Sequence, residues 1–167
     1  MYITETTNNV KELFEKIEES SDIGKNKFLI YILNQLNNNQ INNENKINPN
    51  IYDDENLIIF NSESCGLNSN IIDEIMYQNI TLYNKTIGKN ELYEEHGNVI
   101  GLDFDEIEME MLTKYESLSF YEKLDVFSEI FIRYDNNSYY KSDYINYSFS
   151  SDVTGFEVAR IIKEFKK

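Results

Sequence analysis

The chain carries one histidine and one cysteine, and these two residues bound the chemistry open to it. His96 follows Glu94 and Glu95 and precedes Asp103 and Asp105. An imidazole with carboxylates nearby in sequence is a candidate seed for a metal site. Zinc sites draw several ligands from His and Cys, so the metal chemistry left is an all-carboxylate Mg²⁺ or Mn²⁺ site at Asp103-x-Asp105. The competing reading, which the composition favours, is a solvated acidic loop closing in a turn at Gly97. Cys65 lies in Ser62-Glu63-Ser64-Cys65-Gly66, just after a strand candidate. A nucleophile on a strand-to-helix turn is a working catalytic arrangement, but it needs a base and only His96 is on offer. Nothing in the residue order brings the two together, so an incidental thiol is the favoured reading. A calcium loop starting at Asp135 fails, because Tyr140 stands where glycine is required and Asn146 where the bidentate glutamate belongs. The six glycines are scattered and form no phosphate-cradling loop. No catalytic residue, no metal and no cofactor is therefore expected.

The elements that would position these residues are read from hydrophobic spacing. Val10, Leu13, Phe14 and Ile17 recur at helical intervals over 9–20, with Glu12, Glu15, Glu18 and Glu19 on the wet face. Phe28, Leu29, Ile32, Leu33 and Leu36 predict a second helix over 25–38, paired with the first as an antiparallel hairpin across a short link. Residues 37–50 hold eight Asn in fourteen positions and predict an exposed, mobile loop. Leu57 to Phe60 is a strand candidate. Ile71, Ile72, Ile75 and Met76 predict a helix from about Asn70, while Ile80 to Ile87 reads equally as strand or frayed helix. Val99 to Phe104 resembles a strand. Over 105–115 the alternation of Ile107, Met109 and Met111 with Glu106, Glu108 and Glu110 fits a strand. The spacing of Phe104, Ile107, Met111 and Tyr115, with Glu and Met as helix formers, fits a helix better, with Asp103 or Asp105 as N-cap. Ser119 and Glu122 form a capping box, after which Phe120, Leu124, Phe127, Phe131 and Tyr134 mark one face of a helix. Ser142 to Phe149 alternates as a strand. Thr154 and Glu157 form a second capping box before a closing helix with Phe156, Val158, Ile161, Ile162 and Phe165. The expected fold is α+β and helix-rich: a single domain over 1–167, with about five helices around a small, mainly antiparallel sheet.

Charge is the strongest global signal. The net charge is −15 over 167 residues. From Glu91 to Glu129 there are twelve acids against Lys114 and Lys123 alone, which places −10 of the −15 in this stretch. In residues 1–50, by contrast, seven acids face five bases. A field of this sign attracts cationic partners and repels nucleic acid and anionic membranes. The longest apolar run, near Phe28 to Leu33, is far short of the ~20 residues that span a bilayer. The N-terminal residues lack the basic-then-apolar pattern of a signal peptide, so a cytoplasmic location is expected. The abundant Asn, Lys, Ile and Tyr share A/T-rich codons, which accounts for the composition without invoking a special role for asparagine.

Three functional expectations follow. The first is an acidic stoichiometric inhibitor that binds and neutralises a basic protein. Its composition is similar to that of bacterial immunity proteins against nuclease-like toxins and of DNA mimics that block defence enzymes, though no motif ties it to a family. In this reading Asp103, Asp105, Glu106, Glu108, Glu110, Asp125 and Glu129 supply charge, and Tyr139, Tyr140 and Tyr144 supply anchors that bury area at low entropic cost. The second is a small metal- or thiol-dependent enzyme using His96, Asp103, Asp105 or Cys65. The third is a structural or adaptor subunit whose aromatic stripes pack on a partner.

Overall fold

A computed structural model describes residues 7–43, 57–64, 66, 69–134 and 155–165. Within them lie six helices and two separate antiparallel strand pairs, an α+β, helix-rich architecture. The helices are α1 (Asn8–Glu19), α2 (Asp22–Asn37), α3 (Ser69–Ile87), α4 (Glu106–Glu116), α5 (Phe120–Tyr134) and α6 (Gly155–Phe165). The strands are β1 (Ile41–Asn42), β2 (Ile59–Phe60), β3 (Tyr93–Glu95) and β4 (Asn98–Ile100).

The six consecutive apolar residues from Phe28 to Leu33 explain why α2 is the central helix. A helix apolar around most of its circumference must be covered on several sides. Accordingly Phe28, Leu29, Ile30, Ile32, Leu33 and Leu36 are all buried. α3 covers one side of α2, with Ile72, Ile75, Met76, Ile80 and Tyr83 facing inward, and α4 covers another. The helical hairpin expected of α1 and α2 is not the main packing: α1 lies chiefly on α4 and α5. The Ser20–Ser21 link is fully extended and too short for much of a turn, and each serine serves a helix end. Residues 80–87 continue α3 as helix rather than forming a strand. The α3 helix stops where Gly88, at φ +77, takes the left-handed conformation.

The N-termini follow the side chains that cap them. Thr7, Ser21 and Asp105 cap α1, α2 and α4. Ser119 and Glu122 close the capping box of α5, with the Glu122 amide donating to Ser119 Oγ at 3.2 Å and the Ser119 amide donating to Glu122 Oε1 at 3.0 Å. At the end of α2, Asn39 adopts φ +56 in the place glycine usually takes, and the Gln40 amide returns to the Gln35 carbonyl at 3.0 Å.

The strands are short and peripheral. β1 and β2 pair Ile41 with Phe60 and Asn42 with Ile59. Phe60 is buried, its ring 5.7 Å from Phe127 of α5 and 5.4 Å from Phe165 of α6, so this pair seals the end of the α5–α6 layer. β3 and β4 form a hairpin, Tyr93 opposite Ile100, that is docked onto α2 by asparagines. Asn38 Nδ2 donates to the Gly97 carbonyl at 2.9 Å, and the Val99 amide donates to Asn34 Oδ1 at 3.1 Å. The strand expected over Ser142 to Phe149, the capping role of Thr154 and the loop beyond Asn43 lie outside the described residues.

Two polar contacts, one buried and one largely buried, join α2 to its neighbours. Asn26 Nδ2 donates to Asn79 Oδ1 at 2.8 Å between α2 and α3, and both residues are fully buried. Lys27 of α2 donates to Glu108 Oε1 of α4 at 2.9 Å and lies over the Tyr83 ring of α3, 6.0 Å from its centre. Glu108 Oε1 also accepts the Asp105 amide at 2.9 Å, while Oε2 lies against Gly24, where an added Cβ would come within 3.1 Å. Removing one member of a buried, hydrogen-bonded pair leaves the other charge stranded, at a cost of about 3–5 kcal/mol. Lys27→Met should therefore lower urea-unfolding stability by about 3 kcal/mol or more, and the double variant Lys27→Met/Glu108→Gln should lose clearly less than the sum of the two single losses. Additive losses would show that the two side chains do not act as a pair.

Candidate functional site

The acidic stretch between Glu91 and Glu129 is divided by the fold. α1 and α4 run antiparallel, as two ion pairs between them show: Glu12 with Lys114 at 3.4 Å, and one turn on, Lys16 with Glu110 at 3.3 Å. One face of α4 is turned inward, where Glu108, Met111, Leu112 and Tyr115 are buried at i, i+3, i+4 and i+7. The opposite face, with Glu106, Met109, Glu110 and Thr113, looks to solvent. Together with Lys16, Phe104, Asp105 and Lys114 it lines a shallow open trough of about 630 Å³ with a mostly apolar wall.

Two of the acids expected at a binding surface cannot serve there. Glu108 is 4% exposed and committed to Lys27 and to the α4 cap. Asp125 is 5% exposed, on the inner side of α5. Helical phase decides both: each falls on the stripe its helix turns to the core, where a carboxylate stays only if it is paired. Glu129 is half-buried and, like Asp125, has a partner of its own. Asp105 is exposed, but its Oδ1 accepts the Glu108 amide at 2.8 Å as N-cap of α4. Glu110 is exposed and bridged to Lys16. Asp103, whose Oδ1 accepts the Phe104 amide at 3.1 Å, and Glu106 are exposed as well. Tyr139, Tyr140 and Tyr144 lie outside the described residues, as does Cys65.

The histidine has a backbone task. His96 and Gly97 are the two central residues of the β3–β4 turn, at φ +53 and +80, the pairing of left-handed residues found in type I′ hairpins. The His96 side chain is 91% exposed, with Glu95 at 3.9 Å. Among the described residues no group of three or more His, Cys, Asp or Glu is placed to hold a metal ion.

Helical spacing places Met111 and Tyr115 in the core but does not bury every apolar residue of α4. Ile107 shares the helical spacing of Phe104, Met111 and Tyr115, yet it is 66% exposed. Continuing the α1–α4 pairing by one turn would set Ser20 against the start of α4, but α1 has ended at Glu19. Ile107 therefore overhangs the end of its neighbour. Met109, 48% exposed, lies on the other flank of the solvent face. With Tyr93 and Ile100, four of the eight large apolar side chains exposed among the described residues fall within residues 91–110. The same twenty residues contain eight acids and no Lys or Arg.

Two carboxylates nearby are held in place by the fold. Glu116 accepts the Tyr31 hydroxyl at 2.5 Å and Gln35 Nε2 at 3.0 Å, with Lys123 at 3.6 Å. Burial and this carboxylate together push the Tyr31 hydroxyl far above the ordinary tyrosine range. Tyr115, fully buried and edge-on to Phe28 and Tyr31, is likewise pushed up, by burial first. Glu122 Oε2 accepts Thr7 Oγ1 at 2.5 Å and Asn9 Nδ2 at 3.3 Å, which joins the starts of α1 and α5. Burial alone would raise the Glu122 carboxyl, but the hydrogen bonds from Thr7, Ser119 and Asn9 outweigh it and hold it below its usual value.

Comparison with protein-family models, with curated proteins and with solved structures finds no match to this chain. Among the described residues no helix is long and apolar enough to cross a membrane.

A carboxyl held low in the folded state stabilises at neutral pH, and that contribution is lost as pH falls through the folded value. The melting-temperature gap between the wild type and Glu122→Gln should therefore be widest near neutrality and shrink once the pH drops below the free glutamate value of 4.5. A gap that stays constant down to strongly acid pH would remove Glu122 from this role.

Proposed function

We propose that the protein is an acidic stoichiometric inhibitor that binds and neutralises a basic protein, in the manner of an immunity protein against a nuclease-like toxin or of a DNA mimic directed at a nucleic-acid enzyme. The observation that supports this reading is the stretch 91–110, which holds eight acids and no Lys or Arg of its own; lysines from elsewhere in the fold pair with Glu108 and Glu110, and exposed apolar side chains are interspersed among the rest. The carboxylates Asp103 and Glu106, with Glu91 and Glu95, are exposed, so their field reaches solvent. A basic nuclease holds phosphates with Lys and Arg, and a fixed array of carboxylates competes for those same groups. Long-range attraction of this kind speeds encounter and falls steeply with salt. Such an inhibitor acts in the cytoplasm of the bacterium that makes the toxin.

Capture from the source cell at about 0.05 M salt should retrieve a basic protein that is released at about 0.5 M. Asp103→Lys/Glu106→Lys should slow its association by about tenfold or more, while Glu108 substitutions act on stability instead. An association rate unchanged by the charge reversal, or a captured partner that is not basic, contradicts this reading.

A further inference from the structure

We infer that Asn84 and Asn34 are positioning residues: their side-chain amides take the places of missing neighbour strands and hold the β3–β4 hairpin, with the acids it carries, in one fixed pose. What the pose serves rests on the inhibitor reading; how it is held does not. A two-stranded hairpin standing alone is at best marginally stable in water, so one with three residues per strand needs support from outside. Backbone groups in an antiparallel pair point alternately at the partner strand and away from it. Across the two-residue turn at His96–Gly97, Glu95 meets Asn98 and Tyr93 meets Ile100 as inward pairs. Leu92 and Val99 therefore present their backbone groups to the outer edges.

Each edge is met by an asparagine. Asn84, near the C-terminal end of α3, accepts the Leu92 amide on Oδ1 at 2.9 Å and donates from Nδ2 to the Leu92 carbonyl at 2.8 Å. A carboxamide offers the same kinds of donor and acceptor as a peptide group, so this side chain makes the two bonds that a residue of an adjoining strand would make. Its Oδ1 also accepts the Glu91 amide at 3.1 Å, and its backbone carbonyl accepts the Gly88 and Lys89 amides at 3.0 and 3.2 Å. On the other edge, Asn34 of α2 accepts the Val99 amide at 3.1 Å. Where the strands end, Gly101 at φ +91 lies so close to Glu91 that an added Cβ would collide with the Glu91 carbonyl oxygen. The hairpin held in this way buries Leu92 and leaves Glu91, Tyr93, Glu95 and Ile100 exposed, with Lys89 the nearest lysine in sequence. Groups ordered before encounter spare a complex the cost of ordering them on binding.

The test is NMR of the full-length protein without any partner. In Asn84→Ala the heteronuclear NOEs of residues 91–100 should fall and the Leu92 amide should exchange with solvent at least about tenfold faster, while amides of α2 and α5 keep their wild-type behaviour. Two further variants separate hydrogen bonding from packing. Asn84→Asp keeps the acceptor for the Glu91 and Leu92 amides and should recover most of the lost protection. Asn84→Leu, of similar size but without an amide, should stay as loose as Asn84→Ala. Hairpin amides as well protected in Asn84→Ala as in the wild type would overturn the inference, as would recovery by Asn84→Leu. Loss spread evenly over α2, α3 and α5, or failure of Asn84→Asp to fold, would make Asn84 a general stability residue and overturn it too. The functional half is read from the basic protein captured at low salt, which Asn84→Ala should hold about tenfold less tightly. A loosened hairpin with unchanged capture would show that the pose is not used and overturn that half, while the inhibitor reading stands. If Asp103→Lys/Glu106→Lys leaves capture unchanged, the inhibitor reading itself falls.

Discussion

The arrangement of this molecule depends on where one carboxylate goes. Glu108 sits on the inner face of α4, and a charge taken out of water persists only with a close partner. Lys27 supplies it from α2, among the apolar residues that make α2 central, and the Tyr83 ring of α3 completes the contact. The same glutamate closes the capping box with Asp105 and lies against Gly24 at the first turn of α2, where an added Cβ would crowd its Oε2 at 3.1 Å. Three helices are thereby set in register by one ion pair. The rotation of α4 about its axis is fixed, and with it which of its glutamates face water.

The fold separates the acids of this stretch into three groups. Glu108 and Asp125 are internal; Glu110, Glu116 and Glu122 are engaged in contacts between elements. Asp103, Glu106, Glu91 and Glu95 remain on the outside of a segment with no cation of its own. Surface ion pairs such as Lys16–Glu110 and Lys114–Glu12 are exposed and contribute little to stability, but they align α1 with α4 and so leave Ile107 beyond the end of α1.

Much of the fold was legible in the sequence because capping chemistry and apolar spacing act locally. Ser119–Glu122 and the Phe120–Leu124–Phe127–Phe131 stripe located α5, and Asp105 was among the expected caps of α4. What spacing could not resolve was tertiary. Ile107 has the spacing of the buried Met111 and Tyr115 and is nevertheless exposed, beyond the end of α1. Glu108 reads as one more surface acid until Lys27, 81 residues away in sequence, is brought to it. The partial signal was present: a capping-box glutamate three residues after Asp105, and a lysine directly before the apolar run of α2. Asparagine was underread for another reason. A codon bias explains its abundance but not its positions, and Asn26, Asn34, Asn38, Asn39, Asn79 and Asn84 hold helix contacts, a hairpin and helix ends.

Asp103, Glu106, Glu91 and Glu95 are exposed on a segment without a cation of its own, and like charges so placed should repel one another in the folded protein. The most direct test is the melting temperature of the isolated protein between about 0.02 and about 0.2 M KCl, a range over which screening changes most for exposed charges. The wild type should gain stability as salt rises, and Asp103→Asn/Glu106→Gln should gain distinctly less. Identical salt responses in the two proteins would contradict the account, because the carboxylates would then already be neutralised within the fold.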